Sequence, residues 1–146
     1  MALIADMTPE EIKGALANVG WQALDRVLKD VQSRFTYVPD IERWKLMDYW
    51  IGSKSPGVDF EGQVSGDCDD HALMCRYALN KLNIPNRLVF LIIPAMQSAH
   101  LVCECKGWIL DNRYPMLNRK EDLNQDYTWV SISGYKEGEE WHAITN

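Results

Sequence analysis

Residues 66–93 read GDCDDHALMCRYALNKLNIPNRLVFLII, and the hydrophobic period changes part-way along them. Ala72, Cys75 and Leu79 recur at helical spacing from a start at Asp67 or Cys68, and the helix must end before Asn83-Ile84-Pro85, where proline forbids continuation. Leu88–Ile93 is then an unbroken apolar run of strand length. Downstream the strand pattern persists. Ala99–Cys103 predicts a second strand, Trp108–Asp111 a third after a Lys106-Gly107 turn, and Tyr127–Ile132 a fourth.

Upstream of the segment the pattern is helical. Thr8-Pro9-Glu10-Glu11 reads as an N-cap, a proline at the first helical position and a glutamate at the third. Ile12, Ala15, Leu16 and Val19 follow, and beyond Gly20 the stripe resumes as Trp21, Leu24, Val27, Leu28 and Val31. The spacing predicts a bent or broken helix reaching about Ser33. Phe35–Val38 is extended, Pro39-Asp40 offers a turn and cap for a short helix carrying Ile41, Trp44, Met47 and Trp50, and Gly52–Gly66 is loop. Helices followed by antiparallel strands predict an α+β fold, with the helices on one side of a small sheet.

A chain of 146 residues has room for one core, so a single domain over 1–146 is expected. Its 47% hydrophobic and 25% charged residues exclude disorder and pure coiled coil. A formal charge of -6 argues against a protein built to neutralise nucleic-acid phosphates. No apolar run approaches the roughly 20 residues of a membrane helix, and residues 1–6 lack the basic flank and apolar stretch of a signal peptide. The expectation is a cytoplasmic chain, neither inserted in a membrane nor bound to nucleic acid. Nothing in it asks for an organic cofactor.

Of the four cysteines, three sit inside apolar patterns, where a free thiol behaves as a small buried hydrophobe. Cys68 differs, because the Gly66 turn places it at the N-terminus of a helix. Unsatisfied backbone N–H groups and the helix dipole there stabilise a thiolate, and the same N–H groups suit an oxyanion. The alternative is an inert thiol in a first turn whose acids merely cap the helix.

A thiol nucleophile needs a base, and the base needs an orienting group. His100 opens the second strand of the hairpin and Asp111 closes the third. With the hairpin centred between Cys105 and Lys106 the two lie directly opposite. With Lys106-Gly107 as a two-residue turn, Asp111 faces Val102, which shares a face with His100. Either register puts imidazole and carboxylate together, while Asn112 points the other way. His71, one helical turn after Cys68, leaves little room for a substrate carbonyl, and His142 follows Trp141 near the C-terminus as a surface residue.

Phe35-Thr36-Tyr37, Asp48-Tyr49-Trp50, Gly66-Asp67-Cys68-Asp69-Asp70-His71-Ala72, Leu82-Asn83-Ile84-Pro85, Ala99-His100-Leu101-Val102 and Leu110-Asp111-Asn112 occur in an order that resembles the bacterial transglutaminase-like cysteine peptidases. The resemblance implies a papain-like α+β core over 35–146 behind an N-terminal helical segment, 1–34. It implies Cys68 as nucleophile, His100 as general base and Asp111 as orienter, acting on a protein or peptide through a thioester acyl-enzyme. It also suggests that Trp50 lines the cleft near the oxyanion. Transamidation or hydrolysis of peptidoglycan peptides would use the same residues, and a non-catalytic binding module on this fold is the reading from another class. The family more often carries a glutamate where Asp69 stands and a tyrosine where His71 stands. Its exported members carry a signal peptide, and a compact version without one suits a phage gene.

Asp67 and Asp69 bracket the thiol, with Asp70 just beyond, and carboxylates about 5 Å away disfavour a thiolate. Ca²⁺, which prefers clustered carboxylates, would neutralise them, so a calcium site at Asp67, Asp69 and Asp70 is expected. The resemblance points the same way, because some members depend on calcium through acids flanking the cysteine. Zinc at Cys103-Glu104-Cys105 with Cys75 and a histidine is disfavoured for want of a second well-spaced pair.

Overall fold

The computed structural model describes residues 3–37 and 62–145. The expected short helix with Ile41, Trp44, Met47 and Trp50, and most of the expected 52–66 loop, lie outside them. Thr8 caps α1 (Pro9–Ala17) through a reciprocal pair: Glu11 N–H donates to Thr8 Oγ1 at 3.2 Å, and Thr8 N–H to Glu11 Oε1 at 3.0 Å. The chain then breaks at extended Gly20, and α2 (Trp21–Arg34) buries Leu24, Val27, Leu28 and Val31 along one stripe. The expected break at Gly20 therefore separates two helices.

Phe35–Tyr37 (β1) pairs in parallel with Val64–Gly66 (β2), Tyr37 opposite Gly66. The end of the expected loop is thus a strand, and this is a correction. Its three residues carry no hydrophobic alternation to reveal them, and the partner strand is distant in sequence.

From β2 the chain enters α3 (Cys68–Lys81). Met74, Cys75 and Leu79 pack with the buried stripe of α2 and with Cys103, Cys105 and Leu110 from the sheet. Each fully buried leucine there contributes about 1.5–3 kcal/mol. The helix ends at Leu82, and Asn83 takes a positive φ of 56° before Pro85.

The main sheet holds β3 (Arg87–Ile93), β4 (Ser98–Cys105), β5 (Trp108–Leu110), β6 (Asn118–Arg119), β7 (Thr128–Ile132) and β8 (His142–Ala143). Its order is β6-β5-β4-β3-β7-β8, all antiparallel. The α+β expectation is correct: α2 and α3 cover one face, while Val89, Leu91, Val102, Ile109, Tyr127 and Trp129 form a second cluster on the other. Lys106 and Gly107 both have positive φ, 55° and 84°, which marks a two-residue hairpin turn. Cys105 accordingly pairs with Trp108 and Cys103 with Leu110.

Buried Arg76 ties the C-terminal stretch to α3. It donates to Glu137 Oε1 at 3.0 Å, to the Ser133 hydroxyl, and to the carbonyls of Asn86, Gly134 and Tyr135. No described helix is long and apolar enough to cross a membrane.

Candidate active site

Asp67 is the N-cap of α3, and its Oδ1 accepts from the N–H groups of Asp69 and Asp70 at 3.0 and 3.3 Å. Asp70 Oδ2 accepts in return from Asp67 N–H at 3.1 Å. A side chain at position 66 would collide with the Asp70 carboxylate, so glycine is what lets this box close directly before Cys68. Cys68 is the first helical residue, buried at 5% exposure, with Sγ 3.6 Å from Asp69 Oδ1. Two of the N–H groups expected to hold an oxyanion are therefore already committed to Asp67.

The hairpin turn settles the register. It is the two-residue form, so Asp111 falls opposite Val102 and diagonal to His100. The diagonal closes: His100 Nε2 lies 2.7 Å from Asp111 Oδ1, with both side chains buried. An ionised carboxylate can only accept, so the Nε2 proton belongs to this bond and Nδ1 carries the free lone pair.

Asp111 is held on every side. Arg113 N–H donates to Oδ1 at 3.0 Å and the Tyr127 hydroxyl to Oδ2 at 2.5 Å. Burial opposes its ionisation, but the bonds from His100, Tyr127 and Arg113 prevail and hold the carboxyl below its ordinary pKa. The Tyr127 hydroxyl, pushed the other way by burial and by Asp111, stays protonated as a donor. Its ring also meets His100 edge-on at 5.8 Å.

Tyr127 is the residue of this candidate site that the sequence does not reveal. It was expected only as the start of a strand. Leu91 lies between His100 and Trp129 in the sheet, and only that strand order brings Tyr127 to Asp111. A hydrogen bond to a charged group contributes roughly 1.5–3 kcal/mol. Tyr127→Phe should therefore lower kcat by about tenfold with KM unchanged, since tenfold is about 1.4 kcal/mol. Steady-state kinetics with thermal unfolding as control checks this; a change in KM or Tm alone would make Tyr127 merely structural.

The start of α3 lies beside this pair. His71 feels the charges of both Asp111 and His100, and one turn on Cys75 lies near Cys103. His71 itself is buried, and burial lowers its pKa to about 4. The structure thus brings together Cys68's helix turn, His100 and Asp111; His142 sits exposed on β8, as expected. Trp50 lies outside the described residues.

The first-turn acids are crowded. Burial and the charges of Asp67 and Asp69 raise Asp70 to about 6, against the lowering effect of its backbone bond. Asp67, Asp69 and Asp70 offer the oxygen donors a hard cation prefers, although the described residues hold no group of three acid, histidine or cysteine side chains arranged to bind a metal.

Comparison with known families is decisive for the class. The model for the bacterial transglutaminase-like cysteine proteinases, BTLCP, matches residues 5–146. The chain belongs to this family. It is a cysteine-type, transglutaminase-like hydrolase. No curated protein matches it in sequence. Among solved structures it is similar to Legionella pneumophila LapG, at 16% identity and a TM-score of 0.55, covering 94% of this chain and 88% of that one. Calcium-bound LapG matches at 18% identity and TM-score 0.55, over 96% and 90% of the two chains. EGTA-treated LapG matches at 17% and 0.57, over 96% and 87%. At these identities the likeness shows the transglutaminase-like fold.

Proposed function

We propose that this family member is a peptidase working through a Cys68–His100–Asp111 triad. The observation that carries the reading is the buried 2.7 Å bond between His100 and Asp111, whose charges reach His71, one turn along α3 from Cys68. His100 Nδ1 takes the thiol proton, Sγ attacks the amide carbonyl, and the developing oxyanion is assigned to the N–H of Cys68 at the positive end of α3. His100 returns the proton to the leaving amine as the C–N bond breaks, leaving a thioester on Cys68. Water, deprotonated by His100, hydrolyses the thioester and frees the thiol. Asp111 fixes the ring and stabilises the imidazolium formed in each half. Tyr127 and Arg113 fix Asp111.

Exposing a proteome-derived peptide library to the wild-type chain and to Cys68→Ala tests this reading. New peptide ends from the wild type alone are expected; identical libraries would overturn it. An added primary amine incorporated in place of water would assign transamidation instead.

We also propose that Ca²⁺ binds at the start of α3. The carboxylate donor set fits, and burial together with the nearby charges of Asp67 and Asp69 raises the pKa of Asp70. Asp67 and Asp69 would hold the ion, with Asp70 bound back to Asp67 N–H. When bound it would offset the carboxylates that oppose a thiolate at Cys68. The calcium-bound and EGTA-treated forms of LapG support the reading. Calcium at a hundredfold excess over Kd should raise Tm by on the order of 5 °C relative to EGTA, and Asp69→Asn should abolish the rise. Equal melting in calcium and EGTA would contradict it.

A further inference from the structure

His71 takes no part in the proposed chemistry, yet it is 1% exposed on the helix that carries Cys68. Its ring meets Phe35 edge-on at 5.0 Å, and its Nδ1 lies 3.8 Å from Cys75 Sγ. Its Nε2 is buried and bonds to no group among the described residues. Asn112, next to Asp111, presents a second such atom: its Oδ1 is also buried without a partner among them. Both residues line one cleft of about 370 Å³, walled by Phe35, Tyr37, Tyr114 and Gln32. Gln32 is occupied, donating from Nε2 to the carbonyls of Tyr114 and Asp111, which pins the loop carrying Asn112.

A buried polar atom left unpaired costs about 1–3 kcal/mol, so two in one cleft call for an explanation. Their chemistry is complementary. Burial holds Cys75 as a thiol 3.8 Å from His71 Nδ1, and assigning its S–H to that nitrogen puts the proton of the neutral ring on Nε2. Arg113 also lines the cleft and donates from Nη1 to the Tyr127 hydroxyl at 3.1 Å, so the buried atoms left without a partner among the described residues are one neutral donor, His71 Nε2–H, and one neutral acceptor, Asn112 Oδ1. A carboxylate has no donor to give the Asn112 oxygen, and an ammonium would find no acceptor at His71. An amide carries both matching groups, a carbonyl for His71 and an N–H for Asn112, and its plane suits aromatic walls. The volume suits a short stretch of polypeptide.

We infer that this cleft is a substrate subsite that binds a neutral amide of the polypeptide, one residue from Asp111 and one helical turn from Cys68. Calling the ligand substrate rests on the peptidase reading; binding itself does not. Asn112, expected to be set apart from Asp111, thereby gains a role of its own. The amide is either a side-chain carboxamide or a backbone peptide group, and both present the same donor and acceptor.

The test titrates the isotope-labelled full chain with three small probes while following the His71 ring nitrogens and the Asn112 and Tyr114 amides by NMR. The probes are the N-acetyl, N′-methylamide derivatives of glutamine, alanine and glutamate. Saturable shifts with the glutamine probe alone assign a carboxamide subsite, and equal shifts with all three assign a backbone subsite. His71→Phe, which keeps a ring against Phe35, should weaken binding about tenfold by removing one hydrogen bond. Asn112→Ala, at a half-exposed position, should do the same without disturbing the core. If no probe moves these resonances up to its solubility, or if both variants bind as the wild type does, solvent serves the two atoms and the subsite is overturned. Neither result depends on turnover, so failure here is distinct from failure of the triad.

Discussion

Cys68→Ala and His100→Ala should each lower kcat by roughly 10⁶-fold, and the double variant should fall no further. The groups act as one unit: a thiol without its base is a poor nucleophile at neutral pH, and a base without the thiol has nothing to activate. The factor lost is that of the shared step, so the two deletions do not add. Single-turnover kinetics on any peptide cleaved by the wild type measures all three variants. Losses that multiply in the double variant would mean that the residues act independently. Both side chains are 5% exposed, so thermal unfolding must accompany the kinetics.

Asp111→Asn should lower kcat by about 10⁴-fold while leaving the hairpin folded. In the wild type the two carboxylate oxygens accept three bonds, from His100, Tyr127 and Arg113. An asparagine keeps one acceptor oxygen and turns an NH₂ group toward a donor. If it faces His100, the ring must invert its tautomer and present N–H to the thiol. The stability of the two proteins should also diverge with pH. The Asp111 pKa is depressed in the fold, so its contribution is present above the unfolded value, about 3.9, and is lost as pH falls through the lower folded value. Asp111→Asn should lose that part of the acid dependence, as denaturation at a series of pH values would show. Unchanged kcat in this variant would remove Asp111 from the reaction.

The helices were legible because they are punctuated: Thr8-Pro9 starts one, Gly20 divides two, and Pro85 follows the third. The strands were legible as apolar runs, and the shared face of His100 and Asp111 followed from parity in either hairpin register. The choice of register was not, because it depends on Lys106 and Gly107 both adopting positive φ. Tyr127 was hidden for a different reason. Its contact with Asp111 depends on β7 lying beside β3, a pairing between strands far apart in sequence. Phe35–Val38 was legible as extended, but its partner Val64–Gly66 was hidden in a serine- and glycine-rich stretch and pairs with a strand distant in sequence. His71 was set aside as too close to Cys68 to serve as base, and the structure turns it toward the cleft by Asn112 instead.

The rate of iodoacetamide alkylation at each cysteine, followed by peptide mapping across pH, tests the partnership of Cys68 and His100 most directly. In the wild type Cys68 should react far faster than Cys75, Cys103 and Cys105, whose thiols burial holds in the unreactive protonated form. That advantage should vanish in His100→Ala. Equal, slow labelling of all four cysteines, or fast labelling of Cys68 that survives the loss of His100, would contradict the triad.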